Sequence, residues 1–202
     1  LRELGAGGMG TVFLAERADG QYVQQAAIKV IRGFPTEDGR RRLRMERQIL
    51  AGLDHPNIAR LLDGGETADG QPYVAMEYVD GTGLLEYIAT QRLDHAARLD
   101  LFDHIADAVQ HAHQRLVIHR DIKPGNVLVR ADGGPELLDF GVAKLVDLGV
   151  ETDRRNTSTR VWTPGYSSPE QKLGKPVTTV TDVMGFLAFL GLGTWILIGV
   201  PA

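Results

Sequence analysis

His119-Arg120-Asp121-Ile122-Lys123-Pro124-Gly125-Asn126, followed at once by the apolar run Val127-Leu128-Val129, sets an acid, an ammonium and an amide in one short loop ahead of a strand. Phosphoryl transfer uses such a set. A carboxylate orients the attacking hydroxyl, a cation sits on the transferring phosphate, and an amide oxygen holds Mg²⁺. The bland alternative is a polar turn that merely leads into the strand.

Upstream, Leu4-Gly5-Ala6-Gly7-Gly8-Met9-Gly10-Thr11-Val12 spaces its glycines as G-x-G-x-x-G-x-V. Glycines allow backbone N–H groups to approach phosphate oxygens with no Cβ in the way. A dinucleotide-binding loop of this spacing needs a helix to start at the last glycines. Here Thr11-Val12-Phe13-Leu14-Ala15 is apolar and partly β-branched, which predicts a strand–loop–strand hairpin instead. Ala26-Ala27-Ile28-Lys29-Val30-Ile31 is a short apolar run with one lysine, which on a bland reading only faces water. Between Gly39 and Leu53, the positions Leu43, Glu46, Leu50 and Leu53 make a helical stripe. Glu46 is the one carboxylate on that face. A buried acid without a partner is costly, and Lys29 is the natural partner. A solvent-facing Glu46 is the alternative. His55, in Leu53-Asp54-His55-Pro56-Asn57-Ile58, reads as a turn residue rather than a ligand. Downstream come Val74-Ala75-Met76-Glu77-Tyr78-Val79-Asp80-Gly81, then Leu137-Leu138-Asp139-Phe140-Gly141, then Thr163-Pro164-Gly165-Tyr166-Ser167-Ser168-Pro169-Glu170.

In this order the segments resemble the protein kinase family: the Gly-rich loop, V-A-I-K, the hinge, H-R-D-x-x-x-x-N, D-F-G and a serine variant of A-P-E. Lys123, two residues after Asp121, is similar to the serine/threonine branch, and the chain looks like its bacterial members over about residues 1–182. The resemblance implies an α+β, protein-kinase-like bilobal fold. A β-rich N-lobe with one helix would cover 1–79. A mainly helical C-lobe would cover 83–182, incomplete and truncated near helix αF of the family. It implies a serine/threonine protein kinase that moves the γ-phosphate of ATP, with Mg²⁺, onto protein hydroxyls. Asp121, Lys123 and Asn126 are the catalytic candidates, and Asn126 and Asp139 the metal ligands. Leu4, Gly5, Gly7, Gly10, Val12, Lys29, Glu46, Glu77 and Val79 are the nucleotide-site candidates. Met76 fits the gatekeeper position, and the backbone of Glu77 to Val79 would meet adenine. Arg120 is placed to pair with a phosphorylated residue of the Thr157-Ser158-Thr159 cluster.

Composition narrows the partners. The chain has 202 residues, a formal net charge of −4 and no cysteine. No basic face for nucleic acid is expected, and no disulfide or thiol metal site is possible. Arg40, Arg41, Arg42, Arg44 and Arg47 form a basic run, read as the solvated face of a helix. Strands are expected near 1–6, 11–17, 22–31, 58–66 and 71–77, with a helix near 38–53. Asp80-Gly81-Thr82-Gly83 is expected to supply flexible backbone between the lobes. Leu99, Phe102, Ala106, Val109 and His113 repeat at helical spacing ahead of the catalytic loop.

Residues 183–202 carry no charge and depart from the family pattern. One expectation is a truncated kinase with an aberrant apolar end, catalytically impaired and acting as an ATP-binding scaffold. The other is a membrane span, since about 20 apolar residues cross a hydrocarbon core. Lys172 and Lys175 would then keep the kinase on the cytoplasmic side. The expected location is cytoplasmic, or membrane-anchored with a cytoplasmic kinase domain.

Overall fold

Short apolar runs punctuated by turn residues build the first part of the chain as hairpins. The computed structural model describes residues 1–7, 10–18, 21–33, 37–119 and 121–140, without the side chains of 38, 39, 42, 43 and 46. These residues fall into two compact units, Leu1–Val79 and Asp80–Phe140.

The first unit holds β1 (Arg2–Gly7), β2 (Gly10–Glu16), β3 (Gln25–Ile31), α1 (Glu37–Leu50), β4 (Leu61–Glu66) and β5 (Pro72–Glu77). The strands form one antiparallel sheet in the order β1-β2-β3-β5-β4. Gly7 pairs with Gly10 at the end of the first hairpin, and no helix starts at Gly10. The strand–loop–strand expectation therefore holds over the dinucleotide one. Gly10 has φ +156°, and a Cβ there would lie 2.1 Å from the Val30 carbonyl oxygen. Only glycine fits that approach. Leu4 is the extra residue of a bulge between Glu3 and Gly5.

Several boundaries differ from the expected ones, for local reasons. β3 starts at Gln25 rather than 22, because Arg17 N–H closes the hairpin onto the Gln24 carbonyl at 2.9 Å, and Val23 is left exposed. β4 starts at Leu61 rather than 58. Ile58 is held in a turn by the His55 carbonyl at 3.1 Å, and His55 Nδ1 accepts the Asn57 N–H at 3.2 Å. His55 is thus a turn residue. α1 stops at Leu50 rather than 53, where Gly52 and Leu53 bond back three residues to Ile49 and Leu50 and tighten the last turn. Leu50 and Leu53 are buried beneath it. Of the basic run, Arg41 and Arg44 are exposed, and Arg40 Nε lies 3.1 Å from Glu66 Oε1 on β4. Gly64 leaves room for the Arg47 stem, since a Cβ there would lie 2.5 Å from Arg47 Cδ.

The second unit holds β6 (Gly81–Gly83), α2 (Leu84–Thr90), α3 (His95–Gln114), a single 3-10 turn at Pro124–Asn126, β7 (Val127–Arg130) and β8 (Pro135–Leu137). The strands order as β6-β7-β8. Gly81-Thr82-Gly83 is therefore not free backbone: it pairs with Arg130, Val129 and Leu128. A Cβ at Gly81 would come within 2.9 Å of the Val129 oxygen, so glycine permits the approach. Asp94 caps α3 by accepting the Ala97 N–H at 2.9 Å. Of the five residues noted at helical spacing in α3, Val109 is buried; the buried line is Leu101, Ile105, Ala108, Val109 and Ala112. Burying side chains such as Leu101 and Ile105 contributes about 1.5–3 kcal/mol each. α3 ends with Leu116 in the left-handed region, φ 62°, while Val117 N–H bonds the Ala112 carbonyl at 3.0 Å.

Among the described residues, no helix is long and apolar enough to cross a membrane. Residues 183–202, the Thr157–Thr159 cluster and Arg120 lie outside the described residues.

Candidate active site

The second unit brings three of the sequence candidates into one cluster. Pro124 starts the 3-10 turn, where its missing N–H costs nothing, and the turn closes with Asn126 N–H on the Lys123 carbonyl at 2.9 Å. This folds Asn126 back toward Asp121. Asn126 Nδ2 donates to the Asp121 carbonyl at 2.8 Å and to Asp121 Oδ2 at 3.3 Å. Lys123 Nζ lies 2.8 Å from the same Oδ2, with the Asp121 side chain 9% and the Lys123 side chain 27% exposed. One carboxylate oxygen therefore organises both neighbours. Because the Asn126 amide spends its N–H₂ on Asp121, its oxygen is the end left to meet a cation.

His119 ties this loop to the strand that precedes Asp139. It is fully buried, and its Nδ1 accepts the Asp121 N–H at 3.2 Å. The proton is therefore on Nε2, which donates to the Leu138 carbonyl at 2.9 Å. Its ring meets Phe140 edge-on with centroids 4.7 Å apart. Leu138 N–H in turn donates to the Asn126 carbonyl at 2.8 Å. Asp139 follows with φ 59°, a left-handed conformation that Asp tolerates better than most residues. From the sequence, His119 had no assigned part. A histidine two residues before a loop acid, at the end of the apolar run Leu116-Val117-Ile118, was the available signal.

In the first unit, Lys29 sits on β3 opposite Val12 on one side and Val74 on the other. Cross-strand partners share a face, and Lys29 is buried there. Glu46 lies on α1, but its side chain is outside the described residues, so the expected Lys29–Glu46 pair is not placed. Met76 and Val79 are buried, and Glu77 is exposed at the end of β5 with its N–H on the Arg60 carbonyl at 2.8 Å. Leu4 is exposed and Val12 half-buried. Among the described residues, a Cβ at Gly5 or Gly7 would meet nothing within 4 Å. Their described neighbours leave space that suits a ligand lying close to the backbone.

The donor set fits a hard cation. Asn126 and Asp139 offer an amide and a carboxylate oxygen, and Mg²⁺ commonly takes one or two protein oxygens and completes its shell with phosphates and water. No group of three His, Cys, Asp or Glu side chains able to hold a metal occurs among the described residues.

A profile of the protein kinase domain matches residues 1–188. The chain is 39% identical over 194 residues to Serine/threonine-protein kinase PrkC of Bacillus subtilis, spanning 94% of this chain and 29% of that protein. It is 35% identical over 191 residues to Serine/threonine-protein kinase PknF of Mycobacterium tuberculosis, spanning 90% and 39%. The crystal structure of the M. tuberculosis PknI kinase domain superposes with a TM-score of 0.69 at 30% identity, over 94% of this chain and 70% of that one. The chain thus spans less than two fifths of those two curated relatives.

Proposed function

We propose a phosphoryl-transfer function from one premise: this chain belongs to the protein kinase domain family. The reaction is transfer of the γ-phosphoryl group of ATP to a serine or threonine hydroxyl of a protein. The names of its relatives as serine/threonine-protein kinases favour those acceptors.

Asp121 orients the acceptor hydroxyl and takes its proton. The hydroxyl oxygen bonds to the γ-phosphorus as the bond to the β–γ bridging oxygen breaks, and ADP leaves. Lys123 offsets negative charge on the moving phosphoryl group while keeping Asp121 in its rotamer. Asn126 and Asp139 would hold Mg²⁺, which would supply positive charge to offset the negative charge developing on the phosphate oxygens. In the first unit, Lys29 positions the α- and β-phosphates and Glu46 steadies Lys29. Gly5, Gly7 and Gly10 shape the backbone that covers the phosphates. Leu4, Val12, Glu77 and Val79 contribute to the adenine site. ATP supply favours a cytoplasmic location, with attachment to a membrane through 183–202 as the alternative.

The observation that carries this reading is the shared oxygen: Asp121 Oδ2 receives both Lys123 Nζ at 2.8 Å and Asn126 Nδ2 at 3.3 Å. A polar turn with no catalytic duty has no reason to bury an acid and an amide there. The test is phosphate transfer from Mg²⁺–ATP to a mixed Ser/Thr peptide library. Transfer by the unaltered chain that vanishes in Asp121→Asn supports the proposal. ATP binding without any Asp121-dependent transfer overturns it in favour of an ATP-binding scaffold.

A further inference from the structure

We propose that the Arg130–Glu136 ion pair is a register latch that holds Asp139 beside Asn126, which makes both residues positioning residues for the reaction proposed above, on which this inference rests. Glu136 lies in the middle of β8 and is 2% exposed. Its Oε1 takes the Arg130 guanidinium from the end of β7, whereas its buried Oε2 has no hydrogen-bond partner among the described residues. A half-satisfied buried carboxylate is a costly way to fill that site. Ion pairs of this kind seldom add stability over apolar residues of similar size; the role best attested for them is to fix register.

Register needs fixing here. β8 has three residues and β7 four, paired as Val127↔Leu137, Leu128↔Glu136 and Val129↔Pro135. Pro135 supplies no N–H to the ladder. Val127, Val129 and Leu137 are almost fully buried, so a slip of one residue is opposed because it would turn the apolar faces outward. A slip of two residues keeps that parity; it is opposed by the turn, where Arg130 N–H bonds the Gly134 carbonyl at 2.9 Å and Gly133 N–H the Arg130 carbonyl at 3.0 Å, and by the Arg130–Glu136 pair that spans it. The residues proposed to hold Mg²⁺ flank this ladder. Asn126 immediately precedes β7, and Leu138 N–H, one residue before Asp139, bonds the Asn126 carbonyl at 2.8 Å. Each residue of slip would carry Asp139 about 3.3 Å along the strand.

The test uses the full chain with Arg130→Met and Glu136→Leu combined, so that the buried Glu136 is not left as a lone charge. Melting temperature, amide exchange at Leu138 without nucleotide, and the Mg²⁺ concentration for half-maximal phosphate transfer are read together. The double variant is expected to melt no lower than the parent. Its Leu138 amide should nevertheless exchange at least tenfold faster, and its Mg²⁺ half-maximum should rise at least fivefold. If the double variant does not fold, Glu136→Gln carries the same three readouts. Leu138 exchange within twofold of the parent overturns the latch, as does faster exchange with an unchanged Mg²⁺ requirement. Lower melting with uniformly faster exchange across β6 and β7 also overturns it, because that pattern marks a merely structural pair. If the parent itself transfers no phosphate, the functional reading fails, and the latch is then decided by the exchange measurement alone.

Discussion

Lys123 holds its ammonium 2.8 Å from Asp121 Oδ2 across a loop that turns back on itself at Pro124. The pair is partly shielded rather than solvated, so it acts on the geometry of the acid as well as on charge. Removing the proposed proton acceptor in Asp121→Asn should lower kcat by about 10²–10⁴, the usual span for a general base. Lys123→Ala should lower kcat by about 10²–10³, as for a lost charge stabiliser, with little change in ATP affinity. Steady-state kinetics and calorimetry on folded variants check both. Loss of ATP binding with kcat intact would refute the assignment of Lys123.

The glycines of the first hairpin should behave differently from one another. At Gly10 a Cβ would lie 2.1 Å from Val30 O, so Gly10→Ala should destabilise the first unit by more than about 2 kcal/mol. Gly5→Ala and Gly7→Ala meet open space and should fold normally, yet weaken ATP binding. Thermal melting paired with nucleotide titration separates the two classes. Equal melting of all three variants would contradict the geometry at Gly10.

His119→Phe keeps the aromatic contact with Phe140 and much of the volume. It strands the Asp121 N–H and the Leu138 carbonyl, each at a cost of about 1–3 kcal/mol. Denaturant unfolding should show a loss in the range of about 2–4 kcal/mol, together with reduced kcat from a misplaced Asp121. A variant as stable as the parent would show that water satisfies both groups.

Leu116 adopts φ 62° and is 93% exposed. The left-handed region costs a residue with a Cβ about 1–2 kcal/mol, and glycine is the usual occupant just past a helix. Leu116→Gly should therefore gain about 0.5–1 kcal/mol after the entropy of the unfolded glycine is subtracted. Urea titration checks it, and phosphate transfer should not change.

Asp139→Asn should weaken ATP binding in Mg²⁺ to the level seen with chelator, and leave binding in chelator unaltered. A Mg²⁺-independent loss would place Asp139 outside the metal site.

The strongest sequence signals were those in which chemistry and backbone conformation coincide. The Gly-rich hairpin was legible because Thr11-Val12-Phe13 cannot be mistaken for a helix start, and the Asp121–Asn126 loop because its spacing forces a turn before Val127. β6 was not legible. Gly-Thr-Gly has no strand propensity, and it becomes a strand only because β7 offers it an edge at which a Cβ on Gly81 would not fit. In α3 the helical period was plain and the phase was not. Apolar residues occupy two lines, Leu99-Phe102-Ala106 and Leu101-Ile105-Ala108, which at about 100° per residue lie roughly a third of a turn apart, and only tertiary packing chooses between them. The Arg130–Glu136 pair was invisible for a related reason: two charges six residues apart say nothing until a hairpin brings them together.

The strand order β1-β2-β3-β5-β4 has a kinetic consequence. Three of its four strand pairings, β1–β2, β2–β3 and β4–β5, are hairpins, and only the β3–β5 seam must close the long loop that carries α1. Loop closure is an entropic toll paid before the contacts repay it. The two local hairpin groups are therefore expected to form early and the seam late. Weakening the seam should speed unfolding while leaving the refolding rate nearly unchanged.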